Sequence, residues 1–255
     1  MIHPTAVIHP RAEISADCVI GPFCVIGEHV SIASGCELHS HVVIDGRTQI
    51  GEANEIFPFA SIGLKTQDLK WKCGTTRTVI GSHNTIRECV TINSATGDGE
   101  ATTIGSHNNL LAYCHVAHNV TVGNYVIMSN NGTLGGHVVV EDYAVVGGLA
   151  AVHQFCRIGK LSMIGGCSKV VQDVAPFMIV DGNPAETRTI NKVGLERNGV
   201  SEEVQTSLRQ AYKILFREGL TIPNARVRVE TELPTSPEMA HLIQFVRVSE
   251  RGLTK

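Results

Sequence analysis

Large rings are scarce in this 255-residue chain: one Trp, four Tyr and seven Phe. A core of stacked aromatic side chains is therefore excluded as the main source of apolar burial. Charge of one sign is lacking too. The chain has 21 Lys and Arg against 24 Asp and Glu, a formal charge of −3. No basic patch or stripe stands out, which argues against nucleic acid as a partner. There is no apolar run of 18 or more residues, so no membrane span is expected. The first residues, MIHPTAVIHP, lack a basic segment followed by an apolar one, so no signal peptide is expected and the predicted compartment is the cytoplasm. No C-x-x-C pair occurs among the eight cysteines, and no zinc motif, P-loop or Ser-His-Asp order is present. Covalent and metal mechanisms thus have little support, and neither cofactor nor metal is expected. The cysteines read as small buried hydrophobes in a reducing compartment.

What is there is a period of six. From Ile2 to Val170 an aliphatic residue stands at every sixth position, as in Ile2, Ile8, Ile14, Ile20 and onward to Ile164 and Val170. Of 29 positions in this register only Asp68, Gly74 and Asp98 fail. Four residues after most aliphatics comes a small or slim side chain, such as Cys18, Cys24, Cys36, Cys114, Val126, Ala144 or Cys156. A period of six fits neither a helix face nor a long strand. It marks a hexapeptide parallel β-helix, in which each repeat is one side of a prism and stacked coils share a core. Coils should lie roughly 4.8 Å apart. Each buried Ile or Val stabilises by on the order of 1.5–3 kcal/mol. The three failures lie in polar stretches near 63–79 and 93–103, read as loops expelled from the prism.

The hexad pattern stops at Pro176. Ser201, followed by Glu202 and Glu203, is a helix start, and Ser236-Pro237-Glu238 is another. The expected organisation is a prism over 1–185 and a small helical domain over 186–255 that caps its open end.

Twelve histidines are present, and a lone surface His usually does nothing. A coil step of 18 residues carries His118 to the neighbour of His137, and from there to His153 and Gln154. These side chains are expected to share one edge of successive coils, with His115 three residues before His118. Such a strip suits a general base, since imidazole titrates near neutrality.

The segments IGPFCVIG, HSHVVIDG, NEIFPFASIG, QDLKW, IRECVTI, HVAHNVTVGN, GGHVVVEDYAVVGG, VHQFCRIG, MIGGCS and GNPA carry a specific resemblance. The chain resembles the acyl-acyl carrier protein–UDP-N-acetylglucosamine O-acyltransferases of lipid A biosynthesis, nearly end to end. The resemblance implies that the β-helix is left-handed and followed by a C-terminal α-helical domain. It also implies a homotrimer with clefts between neighbouring prisms. It implies transfer of a 3-hydroxyacyl chain from acyl carrier protein to the 3-position of UDP-N-acetylglucosamine. His118 matches the general base, and the backbone N–H of Gly136 the oxyanion donor. Gln67, Asp68, Lys70, His115, His137, His153 and Gln154 match positions lining the sugar site. Asn191 and Arg197 match residues that hold the uridine diphosphate, and Gly166 the position limiting acyl length. Asn119 stands where many members have Asp, Asn93 where they have His, Val193 where they have Glu, and Asn198 where they have the second Arg of a pair. The changes at 193 and 198 fall on the nucleotide side, so acylation of a 3-amino nucleotide sugar stays open as the alternative. A hexapeptide scaffold without catalysis is disfavoured by the retained His118.

Overall fold

The computed structural model describes residues 1–255. Short strands, most of two residues, recur at hexad spacing outside the two loops from Val7–Ile8 to Lys169–Val170, and with a closing hairpin they form three sheets of 9, 8 and 10 strands, parallel except within that hairpin. Each sheet takes every third strand, so one coil of three strands is 18 residues. In an unbroken coil Val7 pairs with Val25 and Ile8 with Ile26. The coils wind left-handed. The second residue of each strand points inward: Ile26, Ile44, Ile62, Ile92, Val116 and Leu134 stack in one sheet and are at most 1% exposed. This confirms the aliphatic register, since an inward polar side chain at that position would interrupt a continuous ladder.

The small register turns the corners. The residue before it sits at φ near +60°, and it is seldom glycine: Phe23, His41, Phe59, His83, His107, Tyr113, Asn119, Tyr125, His137 and Phe155 all adopt this conformation. A left-handed residue costs roughly 1–2 kcal/mol, and the corner side chains offset part of that by stacking on one another. The small side chains beneath are bonded rather than merely packed. The thiols of Cys18, Cys24, Cys36 and Cys114 each donate to a carbonyl 15 residues on, at 2.8–3.1 Å. All eight cysteines are free, with Cys73 and Cys167 exposed. Burial pushes the thiols of Cys114 and Cys156 up to about 11. The same register also holds asparagine. Asn54, Asn84 and Asn108 form a buried ladder in which each Oδ1 accepts the backbone N–H of the ladder residue one coil on, with Val126 N–H ending the series.

Both expelled loops leave the prism at the same corner. One spans residues 65–76, between strands Ser61–Leu64 and Arg77–Ile80; the other spans 94–100, between Thr91–Asn93 and Ala101–Ile104. The step from Ile62 to Ile80 is 18 residues and that from Ile92 to Ile104 is 12, where an ordinary step is six. The insertions are whole hexads, so the numerical register survives them and Asp68, Gly74 and Asp98 lie inside them.

The prism does not stop at Pro176. Met178–Asp181 still pairs parallel with Met163–Ile164, and Glu186–Ile190 returns antiparallel beside it. The sheet therefore reaches Ile190, past the expected boundary at 185, because a hairpin needs no hexad to bury Met178 and Val180. Four helices follow: α1 (Lys192–Arg197), α2 (Glu202–Phe216), α3 (Ile222–Glu232) and α4 (Pro237–Val248). Ser201 and Ser236 cap α2 and α4, accepting from Val204 and Met239. Neither α1 nor α3 is visible as an apolar period. The helices bury Leu208, Leu215, Leu242 and Phe245 in one cluster with Leu161, Phe177 and Met178 of the last coils. The chain end returns to the prism, where Thr254 N–H donates to Asp173 at 2.8 Å. No helix is long and apolar enough to cross a membrane.

Candidate active site

The corner that expels both loops also carries His118, two residues past the strand His115–Val116 and one coil above the second loop. The loops are tied to each other and to the corner. Thr66 and Thr96 share a hydroxyl hydrogen bond of 2.8 Å, Asn93 Nδ2 donates to Lys65 O at 2.9 Å, and Thr96 N–H donates to Asn119 Oδ1 at 3.0 Å. Lys65 Nζ lies 4.0 Å from the Trp71 ring, which folds the first loop back on its own base. Asp68 is thereby brought over His118. Its Oδ1 accepts from Lys70 N–H at 2.9 Å, and its Oδ2 stands 3.7 Å from His118 Nε2.

The other ring nitrogen, His118 Nδ1, is 2.9 Å from Asn119 Oδ1. The amide of Asn119 can face only one way. Its Nδ2 is 2.6 Å from the carboxylate of Glu100, which only accepts, and its Oδ1 receives the Thr96 N–H, which only donates. An acceptor thus faces Nδ1, so Nδ1 carries the hydrogen in neutral His118 and Nε2 keeps a lone pair toward Asp68 and the cleft.

The Nε2–Cε1 edge of His118 reaches over Gly136, one coil on. A Cβ at Gly136 would sit 2.5 Å from His118 Nε2, so only glycine leaves room for the ring. Gly136 is buried, and its N–H donates to no acceptor within the chain. His137 meets His118 edge to face with ring centroids 5.2 Å apart. His115 Nδ1 is 2.7 Å from Thr91 Oγ1. Both neighbours are biased to the neutral form. Burial, then the charge of His118, holds the His115 pKa below its ordinary value; the same two causes, with Lys70, depress His137 against the opposing pull of Glu100 and Asp68. Only neutral rings can crowd a third that is to take up a proton.

The remaining expected residues divide. Gln67 and Lys70 are exposed on the first loop. The histidine strip does not continue as expected: above His137 stacks Phe155, at 4.7 Å and 11°. His153 is exposed, turned back on the Gln154 carbonyl at 3.1 Å. The cause is the step of 18, which sends 137 to 155 and aligns 118 with 136 and 154. Gly166 stands at a different corner, exposed, with only the Gly148 carbonyl within reach of an added Cβ. Asn191 is 6% exposed and caps α1, its Oδ1 accepting from Gly194 N–H and its Nδ2 donating to Leu161 O. That bonding places it at the third corner, with exposed Arg197 at the end of α1. A cavity of about 650 Å³ lies there, lined by Tyr143, Leu161, Phe177, Asn198 and His241, away from His118. Within one chain, then, His115, His118, His137 and Asp68 come together, while Gly166, Asn191 and Arg197 do not join them. Sequence reasoning missed Glu100 and Thr91. Glu100 was accessible to it, since 118 less one coil of 18 is 100.

The family described as "Udp N-acetylglucosamine O-acyltransferase; Domain 2" matches residues 173–254, and a GMPPB C-terminal domain family matches residues 2–97. The acyl-[acyl-carrier-protein]–UDP-N-acetylglucosamine O-acyltransferase of Thermodesulfovibrio yellowstonii is 49% identical over all of this chain and 99% of its own. Among solved structures, LpxA from Acinetobacter baumannii superposes with a TM-score of 0.96 at 44% identity, over 100% of this chain and 99% of that one. LpxA of Bacteroides fragilis, a UDP-N-acetylglucosamine acyltransferase, gives 0.97 at 38% identity over the whole of both chains. Matched end to end in sequence and in fold, the chain belongs to the acyl-[acyl-carrier-protein]–UDP-N-acetylglucosamine O-acyltransferase family.

Proposed function

We propose that the chain transfers a 3-hydroxyacyl group from acyl carrier protein to the 3-hydroxyl of UDP-N-acetylglucosamine, the opening acyl transfer of lipid A biosynthesis, with His118 as general base. The observation that carries the reading is the contact of His118 Nδ1 with Asn119 Oδ1, which leaves Nε2, beside Asp68, as the basic nitrogen. Nε2 takes the proton of the sugar hydroxyl as its oxygen attacks the thioester carbonyl carbon. The tetrahedral oxyanion accepts the Gly136 N–H, a donor worth ~2.7–4 kcal/mol in such sites. Collapse breaks the C–S bond, and the imidazolium returns the proton to the departing thiolate. The products are the ester and free thiol, with no covalent enzyme intermediate. Gln67, Asp68, Lys70, His115, His137, His153 and Gln154 are assigned to the sugar side of the cleft.

Gly166, Asn191 and Arg197 join this site only if a second chain supplies them. A closed three-fold assembly does this, setting one prism's His118 corner against its neighbour. The donor and acceptor of this reading place the protein in the cytoplasm.

The test is the mass of the product formed with acyl carrier protein or coenzyme A donors and with 3-hydroxy or 3-amino nucleotide sugars. An ester of UDP-N-acetylglucosamine from the carrier-protein donor is expected. An amide of the 3-amino sugar as the preferred product overturns the acceptor assignment.

A further inference from the structure

We propose that Glu100 is a positioning residue for His118 and acts through the amide of Asn119. Resting on the reading of His118 as base, the proposal names what holds that base in its working tautomer. The geometry is a chain of three groups. Glu100 Oε2 lies 2.6 Å from Asn119 Nδ2, and Asn119 Oδ1 lies 2.9 Å from His118 Nδ1. Each end is anchored. Glu100 Oε2 also accepts the Gly97 N–H at 2.9 Å, and Asn119 N–H donates to Thr102 Oγ1 at 2.9 Å.

Asn119 alone is an ambiguous neighbour. Flipped by half a turn, its amide presents NH₂ to Nδ1, and the ring hydrogen must move to Nε2, where it blocks base catalysis. The Glu100 carboxylate, which accepts and cannot donate, opposes the flip together with the Thr96 N–H, and it is the charged one of the two. A short bond to an ionised acceptor is among the stronger hydrogen bonds, and it draws electron density along the amide toward Oδ1. The imidazolium formed during turnover is therefore stabilised by a carboxylate one amide away. The charged and titratable groups around His118 are Asp68 at Nε2, His137 at its edge, and His115, Lys70 and Glu100 nearby. Of these, Asp68 and Glu100 are the anions, and only Glu100 is bonded to the group that meets Nδ1. Glu100 occupies the place of His118 one coil earlier, and it reaches this place because the second loop ends there.

The experiment compares the wild type with E100A, E100A/N119D and H118A in steady state across pH. Asp tolerates the left-handed backbone of position 119 (φ +61°) as Asn does, so N119D offers a carboxylate directly to Nδ1. E100A is expected to lower kcat by about 10- to 100-fold with KM for the nucleotide sugar unchanged, a smaller loss than the ~10⁴-fold of a triad aspartate. The acidic limb of its kcat/KM profile should move to lower pH, and E100A/N119D should recover both. Wild-type kcat and limb in E100A, with H118A inactive, overturn the positioning role and leave the base assignment standing. A loss in E100A that neither moves the limb nor is rescued by N119D makes Glu100 a loop anchor only and also overturns it. Turnover retained in H118A overturns the base assignment itself.

Discussion

His107 and His137 occupy the same place in the hexad, each at φ +60°, yet they live in different chemistry. His107 belongs to a ladder at the third corner, where the rings of His83, His107, Tyr125 and Tyr143 stack 4.8–4.9 Å apart and within 7° of parallel. Those rings are spent on one another. At the loop-bearing corner, His137 stacks on Phe155 but also meets His118 edge-on, and the nitrogens of His115 and His118 face Thr91, Asn119 and Asp68. Position within the repeat therefore does not make a histidine chemical. The two insertions at one corner do, by bringing the Asp68 and Glu100 carboxylates and Thr96 against the rings and the Asn119 amide of that corner.

The sharpest way to break this contrast is to remove one ring from each corner. H118A is expected to lower turnover by about 10²–10⁴-fold, whereas H107A leaves turnover within a few-fold of wild type, both followed by thiol release at saturating substrate. Equal losses in the two variants refute the division. A second test leaves His118 in place and moves it. In G136A the new Cβ, 2.5 Å from Nε2, must push the ring off the corner, and a displacement near 1 Å costs about 10²-fold. Unchanged kcat with a correctly folded protein would show that the ring does not work where it lies.

The remaining corner supplies a smaller effect. Gly166 adds no side chain there, so G166M should shorten the preferred acyl chain, by about fourfold in donor choice per methylene at ~0.8 kcal/mol each. Competition between short and long acyl carrier proteins, read by product mass, checks it. The smallest effect is on stability. The folded pKa of His115 is depressed below the ordinary imidazole value of about 6.5, first by burial and then by His118. The unfolded chain therefore binds the proton more readily. Stability is full above pH 6.5 and declines as pH falls through the lower folded value. A melting temperature that rises on acidification across that window contradicts the assignment, and H115N should flatten the slope.

Much of the fold is legible because the aliphatic register is a one-dimensional rule. Ile62 and Val116 repeat a local requirement, an inward side chain per hexad, and the insertions preserve it by being whole hexads. The loops were visible as its failures at Asp68, Gly74 and Asp98. The helical part is legible only where a cap announces it: Ser201 and Ser236 mark α2 and α4, but α3 has Thr221 before it with no side-chain cap bond, and α1 is only six residues long, capped by Asn191. The hairpin after Pro176 was missed because it buries Met178 and Val180 without the hexad.

At the site, coil arithmetic brought His118 and His137 together. It placed His153 wrongly because neighbours in the count, such as 154 and 155, face different ways around a left-handed corner. By itself, then, the sequence determined the prism, its period, the corner that opens and the residue types gathered near it, since a repeat of six states its geometry locally. Only the tertiary structure decided which nitrogen of His118 is free, because that depends on Asn119, Thr96 and Glu100, three residues from two segments whose donors and acceptors become complementary only when the coils are stacked.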